Sequence, residues 1–293
     1  MNSQMQPALE LIAPSADQLG ECPLWDDREG RLYWVDGRAP AVKRVRIDNG
    51  AVEVIPVAET VGSIAFRARG GMLAATKSGI HFLDPATGNL TPAARPDAHL
   101  PDNRFNDGRC DRQGRFWAGT MSDVRRDPVG TLYRLDPDLA CTPLRNAIII
   151  PNSLAWSPDG RTMYFADTYR HTIWAWDYDP ASGAATRERV FADTGAGRPD
   201  GSCVDADGCL WNAEYGAARI VRYTPDGTID CTIELPVDNP TCCCFGGAQL
   251  DELFITSARQ RLSAADLARQ PLAGSVLAVR PGARGLPESR FAG

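Results

Sequence analysis

The chain reads as an all-β protein, a six-bladed β-propeller with four antiparallel strands per blade. Three observations lead there. A strand, a tight turn and a second strand recur in one phrasing, with turns at Gly30, Gly70-Gly71, Gly114, Gly160, Gly208 and, most degenerate, Leu250-Asp251-Glu252. Successive turns are about 40–48 residues apart, the spacing of a four-stranded blade and too long for one hairpin. Twenty-seven glycines and 22 prolines punctuate short strands throughout, and no long amphipathic helix interrupts them.

Each element follows from its own stretch. The first unit carries strands at 32–36 and 41–45, the fourth at 163–166 and 172–176, and the fifth at 210–213 and 220–223. Turn clusters such as Asp48-Asn49-Gly50, Asp84-Pro85-Ala86-Thr87-Gly88 and Thr224-Pro225-Asp226-Gly227 separate further strands. One short capped helix is expected at 263–269. An open ring would leave unpaired strand edges, so Leu9-Glu10-Leu11-Ile12 is expected to pair in the same blade as Ser275-Val276-Leu277-Ala278-Val279. No linker is visible, and the expectation is one domain over residues 1–293.

Composition narrows the partners. The chain has 31 basic and 37 acidic residues, net charge −6, with no basic run, which argues against nucleic acid. No apolar stretch approaches the ~20 residues needed to span a bilayer. Residues 1–7 lack the basic and apolar regions of a signal peptide. Nine cysteines, an odd number without a Cys-x-x-Cys pair, suit reduced thiols and a cytoplasmic location. Cys242-Cys243-Cys244 is read as small buried side chains, because neighbours on a strand alternate faces and do not chelate one ion. His81, His99 and His171 show no zinc-ligand spacing and are read as structural. The oligomeric state is not legible.

The chemistry lies in the phase of the repeat. Glu21 precedes its turn glycine by nine residues, and Asn106, Asn152 and Asp200 precede theirs by eight. One Asp or Asn ahead of a strand is ordinarily an Asx-turn. Four at one phase, mixing acids and amides, point to side chains converging on the axis of a ring. Carboxylate, amide oxygen and carboxylate from Glu21, Asn152 and Asp200 form an all-oxygen set, which suits a hard divalent cation. No Gly-x-Ser-x-Gly elbow or phosphate-binding loop competes, which leaves metal-assisted hydrolysis. The tryptophans Trp25, Trp117, Trp156 and Trp211 follow blade phase and are read as core between blades.

These motifs carry a resemblance. Leu19-Gly20-Glu21-Cys22-Pro23-Leu24-Trp25, Asn103-Arg104-Phe105-Asn106-Asp107-Gly108, Pro151-Asn152-Ser153-Leu154-Ala155-Trp156 and Arg198-Pro199-Asp200-Gly201-Ser202 resemble those of the gluconolactonase/regucalcin (senescence marker protein) family. The stretches 244–247, 256–259 and 271–274 resemble the bacterial pentonolactonases within it, those for arabinono- and xylonolactone. The resemblance implies one catalytic divalent metal held by Glu21, Asn152 and Asp200, with Ca2+ expected first and Zn2+, Mg2+, Mn2+ and Fe2+ as alternatives. Asp200 would also be the general base. Arg104, Asn106 and Asp123 would contact substrate; Asp123 is one methylene shorter than the glutamate expected there. Cys22 stands where the family commonly has glycine. The implied function is a metal-dependent lactonase opening a pentono- or hexonolactone to the aldonic acid in sugar oxidation. Two rivals remain: a same-site hydrolase for other esters, and a calcium-binding regulatory or interaction propeller without turnover.

Overall fold

Each recurring phrase folds into the first two strands of a blade, and the residues up to the next phrase supply the other two. The computed structural model describes residues 3–5, 7–48 and 50–293, with the backbone alone for 3–5. The Asp48-Asn49-Gly50 turn includes Asn49, which lies outside the described residues, as do Met1, Asn2 and Gln6. Six sheets of four antiparallel strands form. Their first strands are Gly20–Asp26, Val61–Phe66, Asn103–Cys110, Pro151–Trp156, Arg198–Val204 and Pro240–Gly246. These six touch one another in ring order and line a central channel.

The ring closes as expected. Glu10–Ala13 pairs antiparallel with Val276–Val279 in the sixth blade, with Leu11 opposite Leu277. A short strand, Ser3–Met5, adds in parallel to the outer edge of the fifth blade. The expected helix is Ala264–Arg269, capped at Ser263, whose hydroxyl accepts from the Asp266 amide while the Asp266 carboxylate returns the bond. Among the described residues no helix is long and apolar enough to cross a membrane.

Aromatic side chains fill the seams between blades. Trp25 stacks on Phe254 of the sixth blade at 5.7 Å, and Trp211 meets Phe245 at 5.8 Å. Trp117, Trp156 and Tyr178 form a mutual cluster between the third and fourth blades. All nine cysteines are free thiols. The Cys242–Cys244 run alternates as its strand position dictates. Cys243 enters the seam facing the fifth blade beside Trp211, and Cys244 the seam facing the first beside Trp25.

The turns of the third and fifth repeats share one device. Asp205 Oδ1 accepts the amides of Asp207 and Cys209 at 3.0 and 2.9 Å. Its Oδ2 accepts Trp211 Nε1 at 2.8 Å and the Arg222 guanidinium at 2.7 Å. Asp111 likewise holds the Gln113 and Arg115 amides and the Arg115 guanidinium. Gly114 and Gly208 follow with φ of 81° and 87°, which a side chain would resist. The acid thus ties turn, seam tryptophan and outer arginine together.

The C-terminal segment closes the far mouth of the channel, which the sequence reading did not anticipate. Gly285 donates to Leu250 O, Ala206 to Arg284 O, Phe291 to Phe66 O and Ala292 to Gly114 O. Glu288 grips Arg109 through two bonds of 3.0 and 3.1 Å, and Phe291 is fully buried. These partners sit at the turn ends of the first strands, so the channel is strapped on that side.

Replacing Asp205 with alanine strands a buried tryptophan N–H and the inner face of Arg222. We expect a loss of about 3 kcal/mol or more, read from urea denaturation. A loss within experimental error would mean that Asp205 does not lock the turn to the seam.

Candidate functional site

The site sits at the mouth opposite the strap, where the six first strands begin. Every first strand slips register just past its start. The slips fall between Glu21 and Leu24, Val61 and Ser63, Phe105 and Gly108, Asn152 and Ala155, Pro199 and Ser202, and Pro240 and Cys242. A bulge frees one residue from regular pairing and re-aims its side chain. The backbone cost is visible beside two of these positions: Cys22 and Ser153 have φ of 49° and 60°. Glycine meets that requirement freely, so Cys22 keeps a left-handed geometry at the side chain's expense. Gly201 answers a different need, since a Cβ there would lie 2.1 Å from Cys242 Sγ.

Asn106 and Asp200 fall inside the slip of their strands, and Glu21 and Asn152 are the last paired residues before it. In the other two, Gly62 and Thr241 occupy the slip, and Thr241 is spent on Gly20 O at 2.5 Å. Glu21, Arg104, Asn106, Asn152 and Asp200 all line one pocket. Asp123 is not in its lining. It stands behind the wall, accepting from Arg104 Nε at 2.9 Å and Arg38 Nη1 at 2.8 Å. Burial pushes its carboxyl up, but the two guanidiniums outweigh that and hold it below the usual value. Arg104 is 5% exposed, so it is a buried wall residue and not a surface ion-pair partner.

A hydrogen-bond chain sets the orientation of the amides. Arg104 Nη1 donates to Asn106 Oδ1 at 2.8 Å. Asn106 Nδ2 donates to Asn152 Oδ1 at 3.0 Å and to Pro151 O at 3.0 Å. Asn152 Nδ2 donates to Thr168 Oγ1 at 2.7 Å, and the Thr168 hydroxyl donates to Pro199 O at 2.9 Å. Each donor has a fixed acceptor, so Asn152 presents its oxygen and not its amino group to the axis.

The acids beside it lack cationic contacts. Among the described residues neither Glu21 nor Asp200 makes an ion pair, and Asp200 Oδ1 is buried without a hydrogen-bond partner. Burial, followed by the charge of Asp107, pushes Glu21 up to about 8. Burial, then Glu21 and then Asp107, pushes Asp200 well above the carboxylate range. Asp107 is the residue sequence reasoning passed over. It follows Asn106 directly, and strict alternation would aim it elsewhere, but the bulge at 105–108 alters that alternation. Its Oδ2 accepts the Leu154 amide at 2.9 Å, and its own carboxyl is raised by burial.

Two unpaired acids, an orphaned carboxylate oxygen and a pinned amide oxygen fit a hard divalent cation, which supplies the missing positive charge. Among the described residues no cluster of three or more His, Cys, Asp and Glu has metal-holding geometry; the donors here are two carboxylates and one amide. None of the three histidines lines the pocket.

The chain matches the SMP-30/Gluconolactonase/LRE-like region over residues 19–259. It belongs to the SMP-30/gluconolactonase family. It is similar to a 6-deoxy-6-sulfogluconolactonase of Pseudomonas putida, 38% identical over 99% of this chain and 100% of the relative. It is also similar to an L-arabinolactonase of Azospirillum brasilense, 37% identical over 99% and 98% of the two chains. A crystal structure of a calcium-binding protein, regucalcin, from Agrobacterium tumefaciens superposes with a TM-score of 0.95 at 30% identity, covering 99% of each chain.

In this member of the family the pocket wall comes from the connections between second and third strands. Those connections lie at the same mouth, because antiparallel strands return to where the first began. They supply Arg38, Arg126, Tyr169 and Arg261. Sequence reasoning missed all four, whose connections differ in length and share no phrase. Arg126 and Arg261 donate to the Tyr169 phenol oxygen at 3.4 and 3.2 Å. Burial works against ionisation of Tyr169, but these bonds bring it down to about 8.

The protein has seven tyrosines, and burial raises the other six. An alkaline titration followed at the tyrosinate absorbance band should therefore show one phenol ionising near 8, missing in Tyr169→Phe. A first ionisation only in the range of ordinary tyrosine would contradict the arginine contacts.

The acidic floor predicts a pH signature for chelator-stripped protein. Glu21 and Asp200 are raised on folding, so their contribution is complete below the ordinary carboxylate range and is lost as pH rises through about 8. The Tm of stripped protein should fall between about pH 5 and about pH 8, and saturating divalent metal should remove that fall. A metal-independent pH profile would rule out the floor as the metal site.

Proposed function

We propose that the chain is a metal-dependent sugar lactonase, hydrolysing an aldono-lactone to its aldonic acid. The observation that carries this reading is the pair of carboxylates, half-buried Glu21 and buried Asp200, lining one pocket without a counter-ion. The sulfogluconolactonase and arabinolactonase relatives support lactone opening, and they bring both hexono- and pentonolactones into the substrate class.

Glu21, Asn152 and Asp200 would hold one divalent cation, and Ca2+ is the ion we favour, since the solved regucalcin is called calcium-binding. When bound, the ion would polarise the lactone carbonyl and neutralise the charge that develops on its oxygen. The protein's own groups do the rest. Asp200 takes a proton from the attacking water, whose oxygen adds to the carbonyl carbon. The ring C–O bond then breaks, and the alkoxide so released takes up a proton. Arg104 and Asn106, fixed by the hydrogen-bond chain, orient substrate oxygens. We assign Asp123 to positioning Arg104 and Arg38. The nine free thiols support work in a reducing compartment, the cytoplasm.

Acid release from L-arabinono-, D-xylono- and D-glucono-lactone tests the reading, using stripped protein with single metals added back. Metal-restored hydrolysis is expected. Tight binding of a metal with no hydrolysis of any lactone would favour a calcium-binding protein without turnover. Asp200→Asn should lower turnover by about 100-fold or more while the circular dichroism spectrum is kept. Glu21→Gln should weaken metal binding in a direct titration, and unchanged affinity would remove it from the ligand set.

A further inference from the structure

The pocket carries more positive charge than a neutral sugar lactone requires. Five arginines line it against two carboxylates, although the chain as a whole is acidic at −6. On one wall the charge is partly answered, because Arg38 and Arg104 share Asp123. On the other wall it is not. Arg126, Arg198 and Arg261 gather on Tyr169. Two bond to its hydroxyl, and the guanidinium of Arg198 lies 5.5 Å from its ring centre. Among the described residues none of these three makes an ion pair with a carboxylate. The floor would not supply the missing charge either, since a divalent cation held there would balance Glu21 and Asp200.

Like charges are not held together without something that offsets their repulsion. The cluster stands at the rim: Arg261 is exposed, Arg126 and Arg198 are half-buried, and Asp200 and Asn152 lie deep. A lactone with its carbonyl at the floor would extend its far end toward this rim. Guanidinium groups match oxyanions through paired N–H donors, and a tyrosine hydroxyl adds another. We propose that the Arg126–Tyr169–Arg198–Arg261 wall is a subsite for an anionic group on the substrate end remote from the lactone carbonyl. The substrate class is therefore an acidic aldono-lactone bearing a phosphate, sulfonate or carboxylate. This rests on the lactonase reading and sharpens its substrate.

The test compares kcat/KM for D-glucono-lactone with that for its 6-phospho, 6-sulfo and 6-carboxylate counterparts, using the Ca2+-loaded full chain. The anionic lactones should be preferred by about tenfold or more, with the preference shrinking in high salt. Arg126→Gln and Arg261→Gln, both on surface connections, should each reduce the ratio of anionic to neutral kcat/KM, and the double variant by about tenfold or more. The best of the three anions identifies the group; an equal response marks a general oxyanion site. No preference in the wild type, or a ratio unmoved in the double variant, overturns the proposal. Calorimetry of 6-phosphogluconate against gluconate separates the two readings. If no lactone is hydrolysed, the lactonase reading fails, and tighter binding of the phosphorylated acid, weakened by the double variant, still upholds the subsite. Equal binding of the two acids rejects it.

Discussion

Placing two carboxylates at one site without a counter-ion is the constraint on which the rest of this structure turns. Glu21 and Asp200 come from the first and fifth blades, far apart in sequence, and meet where water is scarce and no lysine or arginine is in contact. Such an arrangement is unfavourable for an isolated chain. It persists because many contacts elsewhere over-determine the positions of the first strands. The seams of tryptophan and phenylalanine fix blade against blade. The carboxylates of Asp111 and Asp205 lock the turns, and the C-terminal strap holds the far mouth. The strain sits at the site, and the stability that offsets it is spread over the ring.

The local means of building the site is the register slip shared by all six first strands. A regular strand would send neighbouring residues to opposite faces and into the seams. The slip turns residues within it or just ahead of it toward the axis. Left-handed backbone at Cys22 and Ser153, and the missing Cβ at Gly201, are three solutions to the crowding this creates. The chain of bonds from Arg104 through Asn106 and Asn152 to Thr168 then removes rotational freedom from the amides. Geometry is set before any ligand arrives, which is what positioning in catalysis requires.

Floor and wall have opposite electrostatic character. The floor gathers acids and suits a cation; the wall gathers arginines and suits anions or oxygen-rich ligands. A substrate whose carbonyl meets the floor and whose polar end meets the wall is oriented by charge alone. Closure of the opposite mouth leaves the wall side as the approach to the pocket.

The repeat, its six turns, the closing strand pair, read at 9–12 and formed at 10–13, and the axial phase of Glu21, Asn106, Asn152 and Asp200 were legible in the linear chain. They depend on local turn chemistry and on strand periodicity, which a sequence displays directly. The convergence of the four on one pocket follows from the ring, because equal phase in equivalent blades means equal position. Tertiary structure alone decided what equal phase does not govern. Asp107 comes near enough for its charge to raise Glu21 and Asp200 because a bulge alters alternation, and Asp123 stands behind Arg104 because the guanidinium reaches it first. The arginines around Tyr169 come from connections of unequal length, and the strap is placed by backbone bonds to four distant turns. Contacts of that kind depend on distances in space between segments with no common period, so no spacing along the chain encodes them.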